Sequence, residues 1–252
     1  MKWNAELYDS KHEFVSRYGR GLLNELDLKP GQTILDLGCG TGKLSGDLAA
    51  QGAEVIGVDA SPEMVEHAKA CNPQLSFSVA DAACLPYENF FDIIFSNAVF
   101  HWIADQNALL DSVFNALKPG GILLCEFGGE RNTEQIFNAF REEFSKFGQV
   151  FENPFYYPSA KEYRKLLLKH GFEIEFVRDF DRPTPLADGT KGLRNWLEQF
   201  YISGLSRLSK EEKDMLLSKL ETRLKPLLWD GTQWIADYRR IQVKAKKPQN
   251  AK

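Results

Sequence analysis

The chain has 252 residues, 43% of them hydrophobic, and carries a formal net charge of -4 at pH 7. That length supports a sizeable apolar core, and the mild acidity argues against a nucleic-acid surface, which concentrates positive charge. The four cysteines, Cys39, Cys71, Cys84 and Cys125, make no CxxC pair, and His12, His67, His101 and His170 are widely scattered, so neither a disulfide framework nor a metal-ligand cluster is expected.

The opening stretch MKWNAELYDS has no apolar core of a signal peptide, and no apolar run reaches membrane-spanning length, so a cytoplasmic protein is expected. Three of the cysteines sit in or beside apolar segments and read as buried free thiols. From residue 31 the pattern alternates. QTILDLG is a short β-rich run, and KLSGDLAAQG is helical up to Gly52, which suits a left-handed stop. AEVIGVD is a second strand. SPEMVEHAKA opens a helix, with Ser61 as N-cap and Pro62 in the first position.

LSFSVAD is the third strand, and FFDIIFSNAVF is apolar enough to be a central one covered on both faces. Leu109, Leu110, Val113, Phe114 and Leu117 then mark one helical face, which KPGG stops, and ILLCEF is the fifth strand. This alternation predicts a parallel sheet with helices on both sides and a ligand crevice at the carboxyl ends of the strands.

Beyond it, residues 132–147 read as an amphipathic helix, FENPFYYPS as an aromatic loop, AKEYRKLLLKHG as a helix and FEIEFVRDF as a strand. Residues 184–228 are mostly helical, with LRNWLEQFYISGL and SKEEKDMLLSKLETRL as the best segments. QWIADYRRIQVKAKK returns to strand alternation, and its basic residues read as a solvated strand face. The last two strands pair at the sheet edge, and the helical segment is inserted between them.

Gly38, Gly40 and Gly42 follow a strand and precede a helix, the setting of a nucleotide-binding turn. Their spacing is GxGxG. A dinucleotide fingerprint needs glycine where this chain has Lys43, and a phosphate-binding P-loop needs a hydroxyl where it has Leu44. Asp36, just before the turn, would repel a pyrophosphate, but it suits the ammonium of an amino acid group, held directly or through water. Asp59 ends the second strand where a ribose-binding acid belongs, and its oxygens can accept from two sugar hydroxyls. Asp81 ends the third strand and can accept from an adenine amino group, with the Ala82 N–H facing a ring nitrogen. Met64 can pack on the same base. Three acids at consecutive strand ends predict one shared ligand.

ILDLGCGTG, VIGVDAS, VADAACLP, FDIIFSNAVFHW and ALKPGG, in this order, resemble the successive motifs of class I S-adenosylmethionine-dependent methyltransferases, particularly the small-molecule type 11 group. WNAELYDSKHEFVSRYG, FHWIAD, LCEFGG, DRPTPLADGTKGLRNWLEQF and ADYRRIQVKAKKP extend the resemblance to trans-aconitate methyltransferases and the carboxyl methyltransferases of biotin synthesis. The resemblance implies a Rossmann-like α/β sheet of seven strands in the order 3-2-1-4-5-7-6, the last one antiparallel. It also implies one domain over 1–252, with N-terminal lid or docking helices in 1–30, a cofactor-binding core in 31–127 and a helical cap in 184–228.

The implied cofactor is S-adenosylmethionine, released as S-adenosylhomocysteine, with no metal. Asp36 and Gly38 would border its methionine part, Asp59 its ribose and Asp81 with Ala82 its adenine. Asn97 would lie beneath the sulfonium, Gly40, Ala60 and Met64 complete the cofactor set, and Tyr8 would make a lid contact.

For the acceptor, a small molecule rather than a nucleic acid or membrane, His101 can serve as general base, as hydrogen-bond donor to a carboxylate, or as a structural histidine. Trp102, Tyr156, Tyr157 and Trp196 can enclose it, and Arg182 can pair with its carboxylate. A carboxylate acceptor yields a methyl ester and needs no base; N-, C- or ring O-methylation does. A nicotinamide oxidoreductase and a non-enzymatic cofactor-binding protein are the alternatives outside this chemistry. Oligomeric state is left open.

Overall fold

The computed structural model describes residues 13–250. Tyr8 therefore lies outside the described residues. The core alternates strand and helix: α1 (Glu13–Leu23), β1 (Thr33–Leu37), α2 (Lys43–Ala49), β2 (Glu54–Asp59), α3 (Pro62–Cys71), β3 (Ser76–Val79) and β4 (Phe91–Asn97). A 3-10 turn, Phe100–Trp102, leads to α4 (Gln106–Ala116), β5 (Leu117–Gly128), α5 (Glu134–Ser145), α6 (Ala160–Lys169) and β6 (Glu173–Pro185). After a second 3-10 turn come α7 (Gly192–Phe200), α8 (Ile202–Leu205), α9 (Lys210–Leu228) and β7 (Ile235–Lys246).

One mixed sheet has the order β3-β2-β1-β4-β5-β7-β6, as the resemblance implied. β1 pairs in parallel with β2 and β4, β2 with β3, and β4 with β5. β7 runs the other way: Gly120 donates to the Lys247 carbonyl at 2.8 Å, whereas six residues further along β5 it is Gln242 that donates to Glu126 at 2.6 Å. Rising positions on one strand meet falling positions on the other. Glu175 with Lys244 and Arg178 with Gln242 show the same reversal between β6 and β7.

The chain divides into two compact units. The first comprises residues up to Gly129, Phe155–Asp179 and the chain from Ile241 onward. Its central strands are apolar on both faces, which is why they read as continuous hydrophobic runs. Leu35, Leu37, Ile94 and Leu123 pack with Leu109, Leu110, Val113, Tyr163 and Leu167 on one face. Ile34, Val55, Ile93 and Leu124 pack with Leu22, Leu44 and Leu48 on the other. Ser61 caps α3 as expected, accepting from the Met64 N–H at 3.2 Å.

The second unit comprises Glu130–Pro154 and Phe180–Arg240. Phe140, Phe151 and Tyr201 meet there with ring centroids 4.7 to 4.9 Å apart. Leu216, Leu217, Leu220 and Leu224 give α9 a buried stripe at helical spacing.

Several expectations need correction. The helix does stop before KPGG, but Leu117, expected on its face, and KPGG itself already belong to β5, which starts earlier than ILLCEF. The strand read as residues 172–180 continues to Pro185, so Arg182 lies on a strand instead of at the entrance of a cap. β6 is an edge strand, where proline costs no ladder bond if its nitrogen faces outward. LRNWLEQFYISGL is two helices: the backbone leaves helical geometry at Tyr201 (φ -113°, ψ 25°), and the ring is buried against Phe140, Phe151 and Trp196. The basic segment is not a solvated face, because β7 lies between two strands and Arg240 is 6% exposed. Two cysteines, Cys39 and Cys125, are buried; Cys71 and Cys84 are exposed.

One polar relay in the first unit holds the turn after β4. The buried Gln106 amide donates to the carbonyls of Phe100 (2.8 Å) and Ile103 (2.6 Å), and accepts from the Tyr163 hydroxyl at 3.1 Å. It thereby grips both ends of the segment carrying His101 and Trp102. Gln106→Leu leaves the Tyr163 hydroxyl and the Ile103 carbonyl without this partner, while the Phe100 carbonyl keeps only the Ile103 N–H, and should lower unfolding free energy by about 2–4 kcal/mol. Tyr163→Phe should cost about 1 kcal/mol. Urea denaturation followed by tryptophan fluorescence checks both values.

Candidate active site

Sterics shape the turn after β1. Gly38, Gly40 and Gly42 have φ of +77°, +53° and +79°, a left-handed region that side chains resist. A Cβ on Gly38 would sit 2.1 Å from Val99 Cγ2, so the turn also needs glycine for close approach. At Gly40 a Cβ would meet nothing within 4 Å. The missing side chain leaves open space there.

That space is part of a cavity of about 280 Å³ over the carboxyl ends of β1 to β4. Gly38, Gly40, Asp59, Ala60, Met64, Asp81, Ala82, Asn97 and Trp102 all line it. Asp59 organises the wall: Oδ2 accepts from the Gly40 N–H at 2.9 Å and Oδ1 from the Ser61 N–H at 2.9 Å. The Ala60 backbone also bonds this carboxylate, and a carboxylate's roughly four acceptor positions leave capacity for a ligand hydroxyl. Burial raises the Asp59 pKa, partly offset by these backbone bonds. Asp81 is exposed and accepts from the Ala83 N–H at 2.9 Å, which shapes the loop beyond β3.

Asp36 is placed differently from the expected row of three. It is 2% exposed, does not line the cavity, and its Oδ2 accepts from the Ser45 hydroxyl of α2 at 2.6 Å. Burial is the main cause that pushes its pKa up to about 7; Ser45 opposes this and the nearby Asp59 charge adds to it. Strand alternation aims Asp36 at the helix, behind the glycine turn.

His101 is buried too, and is not part of the lining. Its Nδ1 accepts from the Gly128 N–H at 3.3 Å, and a backbone N–H can only donate. The neutral ring therefore carries its proton on Nε2. Trp102, Phe155 and Tyr157 surround it with centroids at 5.8 Å, and Tyr156 donates its N–H to the His101 carbonyl at 2.9 Å. The aromatic loop thus gathers at the turn after β4. Arg182 and Trp196 belong to the second unit, where the Arg182 guanidinium lies 4.9 Å from the Phe180 ring and Trp196 donates to the Tyr238 hydroxyl at 2.7 Å.

Val99 and Ile103 also line the cavity and escaped the sequence reading, as did Ala98, whose φ of +63° is unusual for a non-glycine residue. Apolar residues beside a central strand carry no signal distinguishing a cavity wall from core. Ala98 is held by its N–H to the Glu126 carbonyl at 2.7 Å. Among the described residues no cluster of His, Cys, Asp and Glu can hold a metal ion, and no helix is long and apolar enough to cross a membrane.

The family profile described as a methyltransferase domain matches residues 35–125, the segment that builds this cavity. An uncharacterized methyltransferase of Schizosaccharomyces pombe is 30% identical over 97% of this chain and 98% of its own length. The chain belongs to the class I S-adenosylmethionine-dependent methyltransferases.

This methyltransferase is also 42% identical to a trans-aconitate 2-methyltransferase of Methylobacterium radiotolerans, over 49% of this chain and 48% of that one. Among solved structures, phosphoethanolamine N-methyltransferase 2 of Haemonchus contortus, in complex with phosphomonomethylethanolamine and S-adenosylhomocysteine, superposes with a TM-score of 0.59 at 24% identity. That match covers 92% of this chain and 53% of the other and shows the shared fold. The open space at Gly40 and the outward lone pairs of Asp59 fit an adenosyl ligand.

Asp36 makes the stability of the methyltransferase depend on pH. An unfolded aspartate titrates near 3.9, roughly, and the folded one about 7, so between these values the unfolded chain holds fewer protons and the native state loses relative stability as pH rises. Asp36→Asn removes this contribution. The Tm advantage of the variant over the wild type should be greatest at pH 8 and shrink towards pH 4, measured by thermal unfolding of the ligand-free proteins.

Proposed function

We infer that this methyltransferase transfers the methyl group of S-adenosylmethionine to a carboxylate oxygen of a small organic acid, giving a methyl ester and S-adenosylhomocysteine. The observation carrying this reading is the hydrogen bond from Gly128 N–H to His101 Nδ1. It puts the proton of the neutral imidazole on Nε2, which makes the ring beside the cavity a hydrogen-bond donor, the kind of group that suits an ionised carboxylate, and not a base. An acceptor that must lose a proton needs a base at that point, and Nδ1 is already engaged. The relatives named trans-aconitate 2-methyltransferases support the same class of acceptor.

S-adenosylmethionine supplies an electrophilic methyl group for in-line displacement. The chain's own residues align the partners and exclude water. Asp59 takes the ribose hydroxyls, Asp81 and the Ala82 N–H take the adenine edge, and Met64 packs on the base. Gly38 and Gly40 let the backbone approach the methionine part, and Asp36 with Ser45 braces the turn from behind. Asn97 and Trp102 border the reacting end, and Tyr156 and Tyr157 support the turn that presents His101.

Calorimetry with S-adenosylhomocysteine should give a saturable heat for the wild type. Asp59→Ala, losing a ligand partner and freeing two backbone amides, should weaken binding by about 30- to 100-fold. For the acceptor, trans-aconitate and other small acids are screened beside amines and phenols, with release of S-adenosylhomocysteine as readout. Ester formation with a KM raised in His101→Phe and a kcat independent of pH between 6 and 8 is expected. Turnover of amines or phenols alone would reject the carboxylate reading.

A further inference from the structure

Arg240 lies on β7, and its surroundings are unusual for an arginine. It is 6% exposed, and its Nη1 is buried without a hydrogen-bond partner among the described residues. The contact that holds it is aromatic: Cζ lies 4.5 Å from the Tyr238 ring centroid. Tyr238 is itself fixed, because its hydroxyl accepts from the buried Trp196 indole at 2.7 Å.

Neighbouring groups that might have satisfied Arg240 are committed elsewhere. Gln242, two positions along on the same face of β7, accepts from Arg178 Nε at 2.8 Å and donates to Glu126 at 2.6 Å. Asp181 pairs with Arg239 at 2.6 Å. Asp237 alternates to the other face of the strand, where Oδ2 takes the Gln135 N–H at 2.8 Å and Oδ1 is buried without a partner among the described residues, so strand geometry and not a competing bond keeps it from Arg240. A guanidinium stays charged at any ordinary pH, and burying it without a counter-charge is costly. A fold that tolerates this cost keeps the group for a ligand.

We propose that Arg240, set against Tyr238 and Trp196, is the binding residue for a carboxylate group of a small organic acid. With its face on an aromatic ring, a guanidinium offers its N–H edge, whose fork matches the two oxygens of a carboxylate. A single guanidinium balances one carboxylate charge, whereas a phosphate dianion calls for more. The proposal shares the acid chemistry of the function proposed above, and the binding itself does not depend on it.

The test measures trans-aconitate, citrate and, as the phosphate arm, phosphoethanolamine by calorimetry on the full chain saturated with S-adenosylhomocysteine. Wild type should bind a carboxylate more tightly than phosphoethanolamine. Arg240→Met should weaken that carboxylate at least 30-fold, and Arg240→Lys should recover part of the loss. S-adenosylhomocysteine affinity should stay unchanged in both. The ligand-free Arg240→Met protein should melt at or above the wild-type temperature, because an unpaired buried charge has gone; a purely structural arginine predicts a lower Tm.

Unchanged carboxylate affinity in Arg240→Met, no carboxylate binding to the wild type, or tighter binding of phosphoethanolamine that depends on Arg240 would each overturn the proposal. Carboxylate binding through Arg240 without ester formation would instead reject the proposed acceptor while leaving the binding residue in place.

Discussion

Two hydrogen bonds to one carboxylate organise the cavity. By accepting from Gly40 and from Ser61, Asp59 ties the turn after β1 to the start of α3. Neither segment has a reason of its own to take up its position. The glycine turn alternates left-handed glycines that have high conformational entropy in the unfolded chain, and α3 begins at a short loop capped by Ser61. Joined through Asp59, they become two edges of one crevice. The same carboxylate still presents lone pairs outward, so the group that builds the site is also equipped to sense whether the site is filled.

Much of this was legible in the sequence. The three glycines, Asp59, Ser61 and Pro62 announce their roles because each is demanded by backbone geometry: a positive φ, a cap, a first helical turn. The apolar runs of β1 and β4 are legible for a similar reason, since strands covered on both faces leave no room for polar residues. Asp36 shows the limit. Its place in the chain is right for the crevice, yet strand alternation turns its side chain to Ser45, and a hydrogen-bond partner nine residues away has no signature of its own. Arg240 shows it again, because a basic residue between apolar ones reads as a solvated face unless the strand is known to lie inside the sheet.

His101 illustrates how backbone geometry can narrow what side-chain identity leaves open. The sequence allows a base, a donor or a structural histidine. An amide at Gly128 fixes which nitrogen holds the proton, and the Gln106–Tyr163 relay fixes where the ring stands. Reactivity at the turn after β4 is therefore governed by groups that themselves never line the cavity. Family likeness gives the donor chemistry and leaves the acceptor to the residues around the cavity.

Ala98 carries a different implication. With φ at +63° and its N–H committed to the Glu126 carbonyl, this position in the cavity wall keeps a left-handed backbone without being glycine. Only the smallest residues, or asparagine and aspartate, tolerate such a conformation cheaply. This stretch of the wall consequently has a short alphabet. Diversification of the pocket towards other acceptors has to proceed through its neighbours Val99, Trp102 and Ile103, whose side chains can change volume while the backbone beneath them keeps its course.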